Sequence, residues 1–142
     1  MLSVVPIAPV SESMSALALL ALTGVSAGFP SPAENYFDRP VDLNEHLIKD
    51  ATSTFIVRVA GDSMEGGGIS DGDEVIVDRS LIPHSGNVVV AVLDGELTIK
   101  RLHLTGSVAI LRADNPAYPH IHVAELSDLT IWGVVTRCLH RV

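Results

Sequence analysis

The feature that most constrains the fold is a series of short apolar runs between turn residues, beginning near Thr54. Asp94-Gly95 separates two of these runs and is a dipeptide favoured in two-residue hairpin turns. Glycines at 66–68 and at position 72 mark further turns. The predicted strands are residues 55–60, 74–77, 88–93, 96–102, 108–112 and 131–136. Strands at this spacing predict a mostly β protein, built as a small antiparallel β-barrel or sandwich.

Length and charge limit the class of protein. The chain has 142 residues, of which 47% are hydrophobic, so we expect one domain with a core and an appendage. The formal net charge is -8 and Lys and Arg are nowhere clustered, which argues against direct nucleic acid binding through phosphates. This charge is compatible with basic protein partners. The single cysteine, Cys138, excludes an intrachain disulfide and fits a reducing compartment.

The N-terminal segment has two interpretations. Residues 16–22 are apolar, and Val25-Ser26-Ala27 resembles the small-residue cleavage site of a secretory signal. However, no Lys or Arg precedes Arg39, and the run is too short to span a bilayer. We therefore favour an amphipathic or extended arm that packs on its own or a partner's globular domain, and we expect no membrane association.

Two short helices are predicted between the arm and the first strand. Ser31-Pro32-Ala33-Glu34 has an N-cap, a proline at the first helical position and a capping-box glutamate, which predicts a helix to about Phe37. Asp42-Leu43-Asn44-Glu45 repeats the capping pattern, and Leu43 with Leu47 forms one apolar face.

Ser63 and Lys100 are the residues whose chemistry stands out. Ser63 follows a strand-like run in Gly61-Asp62-Ser63-Met64, and Lys100 lies in an apolar strand just past the predicted hairpin. A serine hydroxyl becomes a nucleophile when a base takes its proton, and a desolvated neutral lysine can be that base. Backbone amides near Ser63 could line an oxyanion hole. The alternative is a turn serine and a solvated strand lysine.

Strand alternation places Glu96, Thr98 and Leu102 on the same face as Lys100. Thr98 either orients the amine by hydrogen bonding or is an ordinary strand threonine. A carboxylate beside the amine would oppose loss of its charge, so a neutral Lys100 requires Glu96 to point to solvent.

Four segments in order carry a family resemblance: residues 57–64, 68–73, 87–91 and 98–102. The series resembles the self-cleaving family of LexA-type repressors and UmuD-type mutagenesis proteins, from about Gly28 to Val142. The short arm and the Glu65-Gly66-Gly67-Gly68 segment, where many members carry a proline, make the UmuD type the closer match. These glycines could loosen the loop behind Ser63.

The resemblance implies a division of the chain into a cleavable arm, 1–28, and a β-rich Ser/Lys peptidase-like domain, 29–142. It implies that Ser63 is the nucleophile, that Lys100 is the general base, and that the bond cut is Ala27-Gly28; a flexible glycine link is the alternative reading of that bond. It further implies a cytoplasmic homodimer without cofactor or metal. A RecA filament would stimulate the cut, and the shortened form would join a Y-family translesion polymerase.

Other classes of protein remain open. A signal-peptidase-like enzyme would use the same Ser/Lys chemistry on other proteins, but it would need a membrane anchor. A non-enzymatic dimeric interaction module would carry the two residues incidentally. His120 and His122 share a strand face, as two zinc ligands would, although no further ligand stands at suitable spacing. A repressor is disfavoured, because about 27 residues cannot hold a helix-turn-helix domain.

Overall fold

The computed structural model describes residues 3–9, 17–21, 27–28, 37–123 and 128–142. In these ranges the helices are α1, Leu43–Leu47, and a 3₁₀ turn, Glu65–Gly67. The strands are β1 Ser3–Pro9, β2 Leu17–Ala21, β3 Phe37–Asp42, β4 Thr54–Ala60, β5 Glu74–Asp78, β6 Val88–Leu93, β7 Glu96–Thr105, β8 Val108–Arg112, β9 Ile121–Val123 and β10 Leu129–Leu139.

The chain forms two compact units, each described by itself. The first comprises residues 1–10 and 50–142 and contains an open antiparallel sheet of order β1-β4-β5-β10-β6-β7-β8-β9. The second, residues 11–49, contains the antiparallel pair β2-β3 and helix α1. The predicted mostly β, antiparallel fold is confirmed. The division into an arm and a domain at residue 28 stays a prediction.

All six strands predicted from the apolar runs are present, two of them, β6 and β8, with the predicted bounds. The hairpin between β6 and β7 also forms as predicted, because Asp94 and Gly95 both have positive φ, at 49° and 82°. Two-residue hairpin turns of this type need positive φ at both central residues. The turn aligns Val89 with Lys100 across the two strands and so sets the register of Lys100.

Four strands were not predicted. β9 has only three residues, too few for a periodic pattern, and β1 and β3 contain prolines, which lower the predicted strand propensity. β1 lies at one edge of the large sheet, where Pro6 and Pro9 need not donate to a second neighbour.

One predicted helix is confirmed and one needs correction. Asp42 caps α1 as expected, and its side chain accepts a hydrogen bond from the backbone N–H of Asn44 at 2.9 Å. The helix predicted to end near Phe37 falls mostly outside the described residues. Phe37 itself begins β3, since pairing with β2 determines its backbone conformation.

The large sheet has a core on each face, and β6 contributes to both. Successive side chains of a strand point to opposite faces, so Val90 joins one core while Val89 and Ala91 join the other. The first core contains Val57, Val59, Met64, Ile69, Val75, Val77, Val90 and Ile99, and the second contains Val89, Ala91, Leu102, Leu111 and Val134. Met64 anchors the turn that carries Ser63, so the nucleophile candidate is held by core packing.

Candidate active site

The fold brings Ser63 and Lys100 together. Ser63 lies in the turn after β4 and Lys100 near the middle of β7, and the distance from Lys100 Nζ to Ser63 Oγ is 3.2 Å. Both residues are buried, with exposed fractions of 1% and 5%. A lysine is rarely this buried without a carboxylate partner. The contact is therefore a buried amine–hydroxyl pair.

Three oxygen atoms surround the Lys100 amine. Besides Ser63 Oγ, these are Thr98 Oγ1 at 3.1 Å and the Ile99 carbonyl oxygen at 3.3 Å. A neutral amine has two N–H donors and one lone pair. If Thr98 and Ile99 accept the two donors, the lone pair remains for the Ser63 hydroxyl proton. This geometry supports the interpretation that Thr98 orients the Lys100 amine by hydrogen bonding.

Burial lowers the pKa of Lys100 below its ordinary value of 10.5, because a charged amine loses hydration in this site. Glu96 lines the same cavity as Lys100, but it is exposed to solvent, as the sequence argument required for a neutral Lys100. The environment therefore favours the neutral amine more than water does.

The turn that carries Ser63 depends on Gly61. Its φ is 100°, in the left-handed region that glycine enters without strain, and its N–H donates to Asp71 Oδ1 at 2.7 Å. In the described part of the chain, the backbone N–H groups of Asp62, Ser63 and Met64 donate no hydrogen bond. These three free donors beside the hydroxyl fit the oxyanion hole that the sequence suggested.

Gly66 and Gly67 allow close packing on Asp114. The Gly66 N–H donates to the Asp114 carbonyl oxygen at 2.6 Å, and a Cβ at either glycine would overlap Asp114. Arg101 forms an ion pair with the Asp114 carboxylate at 2.7 Å and also donates to the Gly86 carbonyl. The looseness suggested for this loop from sequence is therefore wrong for Gly66 and Gly67.

Asp62 precedes Ser63 but does not reach the amine. Its carboxylate accepts a hydrogen bond from the Tyr118 hydroxyl at 2.5 Å, and its carbonyl oxygen accepts one from Asn115 Nδ2 at 2.9 Å. Asp62 is thus a turn residue and not a third member of a triad. Sequence reasoning missed Asn115 and Tyr118, although Asn115-Pro116 is a recognisable turn dipeptide.

An apolar cavity of about 300 Å³ opens beside Lys100. Its wall combines side chains from the β6–β7 hairpin with Tyr118, Pro119 and Ile121 from the segment between β8 and β9 and from β9 itself. Apolar clefts with a few polar groups are the usual form of ligand and substrate sites. This cavity can hold an uncharged side chain next to the amine without bringing in a charge.

The remaining candidate residues are those of the expected scissile bond and the two histidines. Ala27 and Gly28 are exposed and belong to the second unit. His120 and His122 are also exposed. Across the described ranges, no group of three or more His, Cys, Asp or Glu side chains could hold a metal ion. In the same ranges, no helix has the length and apolar character needed to cross a membrane.

Comparison with known proteins gives consistent results. A family model described as Peptidase S24-like matches residues 20–136. Protein SamA of Salmonella typhimurium is 42% identical over 135 residues, covering 95% of this chain and 94% of that protein. Protein MucA of Escherichia coli is 40% identical over 119 residues, or 83% of this chain and 81% of that protein. LexA repressor 1 of Xanthomonas campestris pv. campestris is 42% identical over 118 residues, which cover 83% of this chain and 58% of that protein.

These similarities confirm the resemblance to UmuD-type self-cleaving mutagenesis proteins, and with it an assignment to the serine peptidases of the SOS response. The match extends from β2 through most of β10 and includes both Ser63 and Lys100. The chain therefore belongs to the Peptidase S24-like family.

Proposed function

We propose that this chain cuts its own Ala27-Gly28 bond, with Ser63 as the nucleophile and Lys100 as the general base. The observation that supports this most strongly is the 3.2 Å distance between Lys100 Nζ and Ser63 Oγ in a buried site. A buried lysine without a carboxylate partner is unfavourable for stability, so its presence suggests a chemical role. A hydroxyl at hydrogen-bond distance is the group that such a base would activate.

The reaction follows the general scheme of acyl transfer to serine. Neutral Lys100 takes the hydroxyl proton while Ser63 Oγ bonds to the carbonyl carbon of Ala27. The C–N bond to Gly28 then breaks, and protonated Lys100 returns the proton to the departing amine. Water hydrolyses the resulting ester of Ala27, again with Lys100 as the base, and this restores the Ser63 hydroxyl.

The cellular role rests on the resemblance to UmuD-type proteins. In this proposal the chain is a cytoplasmic homodimer from which residues 1–27 of the arm are cut when a RecA filament binds, which leaves the fragment 28–142. The shortened form then becomes an accessory subunit of a Y-family translesion polymerase. A partner that pressed the arm over the site would exclude water from Lys100 and so lower its pKa further, which would speed the cut at neutral pH.

The direct test is incubation of the purified chain followed by mass spectrometry of the fragments. We expect one cut, with a product that begins at Gly28 and ends at Val142. Ser63→Ala and Lys100→Ala should each abolish it while circular dichroism shows an intact fold, because nucleophile and base act as one unit. Lys49→Ala is the matched control, since Lys49 is the other lysine of the chain. Self-cleavage of Lys100→Ala at the wild-type rate would show that Lys100 is not the general base.

A second variant tests the position of the cut. Ala27→Asp should block cleavage, because it would bury a carboxylate beside an amine that must stay neutral. Ser26→Asp is a useful comparison, since alternate residues of an extended arm face away from the site. A dominant cut elsewhere, or normal cutting of Ala27→Asp, would mean that the substrate segment is misplaced. Cutting of added proteins without self-cleavage would favour a signal-peptidase-like activity instead.

A further inference from the structure

The segment 113–119, which follows β8, contacts the turn that carries Ser63 at two points. At one point the Asp114 carbonyl accepts the Gly66 N–H at 2.6 Å. At the other, Asn115 and Tyr118 both bind Asp62, the residue before Ser63. The Ser63 turn is thus held on both sides by one segment, which we call the clasp loop.

The bond from Asn115 bears on the orientation of Ser63. The Asp62 carbonyl oxygen accepts Asn115 Nδ2 at 2.9 Å and the Glu65 N–H at 3.2 Å. That carbonyl and the Ser63 N–H belong to the same planar trans peptide unit, so they point in opposite directions. Holding the carbonyl therefore fixes the direction of the Ser63 N–H, which is one of the free donors beside the nucleophile.

The Asn115 side chain is itself held in one orientation. Its Oδ1 accepts the Ala117 N–H at 2.9 Å, and its backbone carbonyl accepts the Tyr118 N–H at 3.1 Å. An amide whose oxygen is used in this way must present its nitrogen to Asp62. The clasp loop is therefore a turn closed by its own hydrogen bonds, with one donor directed at the Ser63 turn.

Tyr118 connects the same turn to the apolar cavity described above. Its hydroxyl donates to Asp62 Oδ1 at 2.5 Å, and its ring lines the cavity beside Lys100. The hydrogen bond to Asp62 and the negative charge of that carboxylate raise the pKa of Tyr118 above its ordinary value of 10.0. The raised pKa favours the protonated hydroxyl, which is the form that donates to Asp62.

We propose that Asn115 and Tyr118 are positioning residues that aim the Ser63 N–H at the carbonyl oxygen of the bond being cut. Neither side chain hydrogen-bonds to Lys100, and both act through Asp62. This inference rests on the proposed self-cleavage. Oxyanion donors stabilise developing charge only when their direction is fixed in advance, so loss of the clasp lowers the rate without removing the nucleophile or the base.

The first test is Asn115→Asp. A carboxylate still accepts the Ala117 N–H but presents an oxygen to the Asp62 carbonyl, so the loop keeps its turn while the peptide unit is repelled. We expect self-cleavage between about 10-fold and 100-fold slower than in the wild type. Asn87→Asp is the matched control, because Asn87 Oδ1 likewise accepts a backbone N–H, from His84 at 2.8 Å. That variant should cut at the wild-type rate.

A set of variants at Asp62 and Tyr118 provides an independent test. Tyr118→Phe keeps the ring in the cavity and removes only the hydroxyl, and Asp62→Ala removes the acceptor. Each substitution should slow cutting about tenfold. The double variant Tyr118→Phe/Asp62→Ala should cut no more slowly than either single variant, because each substitution removes the same hydrogen bond. Asp62→Asn retains an acceptor oxygen and should cut within about threefold of the wild type. If Asp62→Ala slowed cutting only by a general loss of stability, near wild-type cutting by Asp62→Asn would not be expected.

A second readout separates failure of the inference from failure of the proposed function. An alkyl fluorophosphonate bonds to an activated serine Oγ with loss of fluoride, and its phosphoryl oxygen then occupies the oxyanion position. Labelling of Ser63 in the full chain should fall with the cleavage rate in Asn115→Asp and Tyr118→Phe, while melting temperatures stay within a few degrees. If Asn115→Asp has a markedly lower melting temperature than the wild type, the variants at Asp62 and Tyr118 provide the test of the positioning role.

The outcomes are distinct. If the wild type neither cuts itself nor takes the label, the proposed function fails. If the wild type does both, and if Tyr118→Phe and a folded Asn115→Asp match Asn87→Asp in cutting and labelling, the positioning role is overturned and the proposed function stands.

Discussion

Gly66 offers the sharpest test of how the Ser63 turn is held in place. Its N–H donates to the Asp114 carbonyl at 2.6 Å, and a Cβ built on Gly66 would overlap that same carbonyl oxygen. The obstacle is backbone, so no side chain can rotate away from it. In Gly66→Ala the two segments must therefore separate by about 1 Å to restore van der Waals contact.

Separation has two costs. Overpacking costs about 1–3 kcal/mol, and the lost hydrogen bond costs about 1 kcal/mol, so the free energy of unfolding should fall by roughly 2–4 kcal/mol. In a chain of this size that lowers the melting temperature by roughly 6–12 °C. A displacement of about 1 Å near the reacting groups also slows chemistry by about 100-fold, so self-cleavage should fall by that factor.

Gly68→Ala is the matched control two residues away. Gly68 has a φ of 85°, yet nothing lies within 4 Å of a Cβ built there. Alanine should cost only about 1–2 kcal/mol through backbone strain, and the Ser63 turn should keep its position. Thermal melts and the first-order rate of appearance of the 28–142 fragment would be measured on both variants. If Gly66→Ala melts and cuts like Gly68→Ala, the close approach does not position the nucleophile.

Three further predictions concern ionisable groups. Self-cleavage without an activator should rise about tenfold per pH unit from neutral pH and level off below pH 10.5, because burial lowers the pKa of the Lys100 base; a flat or falling rate between about pH 7 and 10 with an intact fold would contradict this. Lys100→Met should raise the melting temperature at pH 7, since the wild type buries an amine whose folded-state pKa is depressed. The difference in melting temperature between Lys100→Met and the wild type should shrink as pH rises towards the unfolded-state pKa of lysine near 10.4, because the amine is then neutral in both the folded and the unfolded chain. A difference that stays constant or grows with pH would refute this prediction. Burial and the nearby Asp73 carboxylate raise the pKa of Cys138 to about 11, so iodoacetamide at pH 8 should label it at least about 100-fold more slowly in the native than in the denatured chain.

Local sequence patterns were sufficient for most of the large sheet and for singling out Ser63 and Lys100 as candidate reactive residues. Runs of β-branched residues ended by glycine turns specify strands locally, and Asp94-Gly95 specifies its hairpin because few other dipeptides adopt positive φ at both positions. The hairpin and strand alternation together place Thr98 and Lys100 on one face, which predicted their shared environment. Asp42 capped its helix for an equally local reason.

Contacts between distant parts of the chain required the tertiary structure. β1 pairs with β4, and β10 lies between β5 and β6, and no local pattern encodes a partner so far along the chain. The sequence predicted a loose loop at the glycines after Met64, because sequence alone does not show that Asp114 packs against them. Asn115 and Tyr118 were missed for the same reason, because their contacts with Asp62 join distant parts of the chain. The sequence by itself determined which groups could react. Only folding decided that Ser63 and Lys100 would lie 3.2 Å apart in a site dry enough to lower the pKa of the amine, because distance and desolvation depend on every element packed around them.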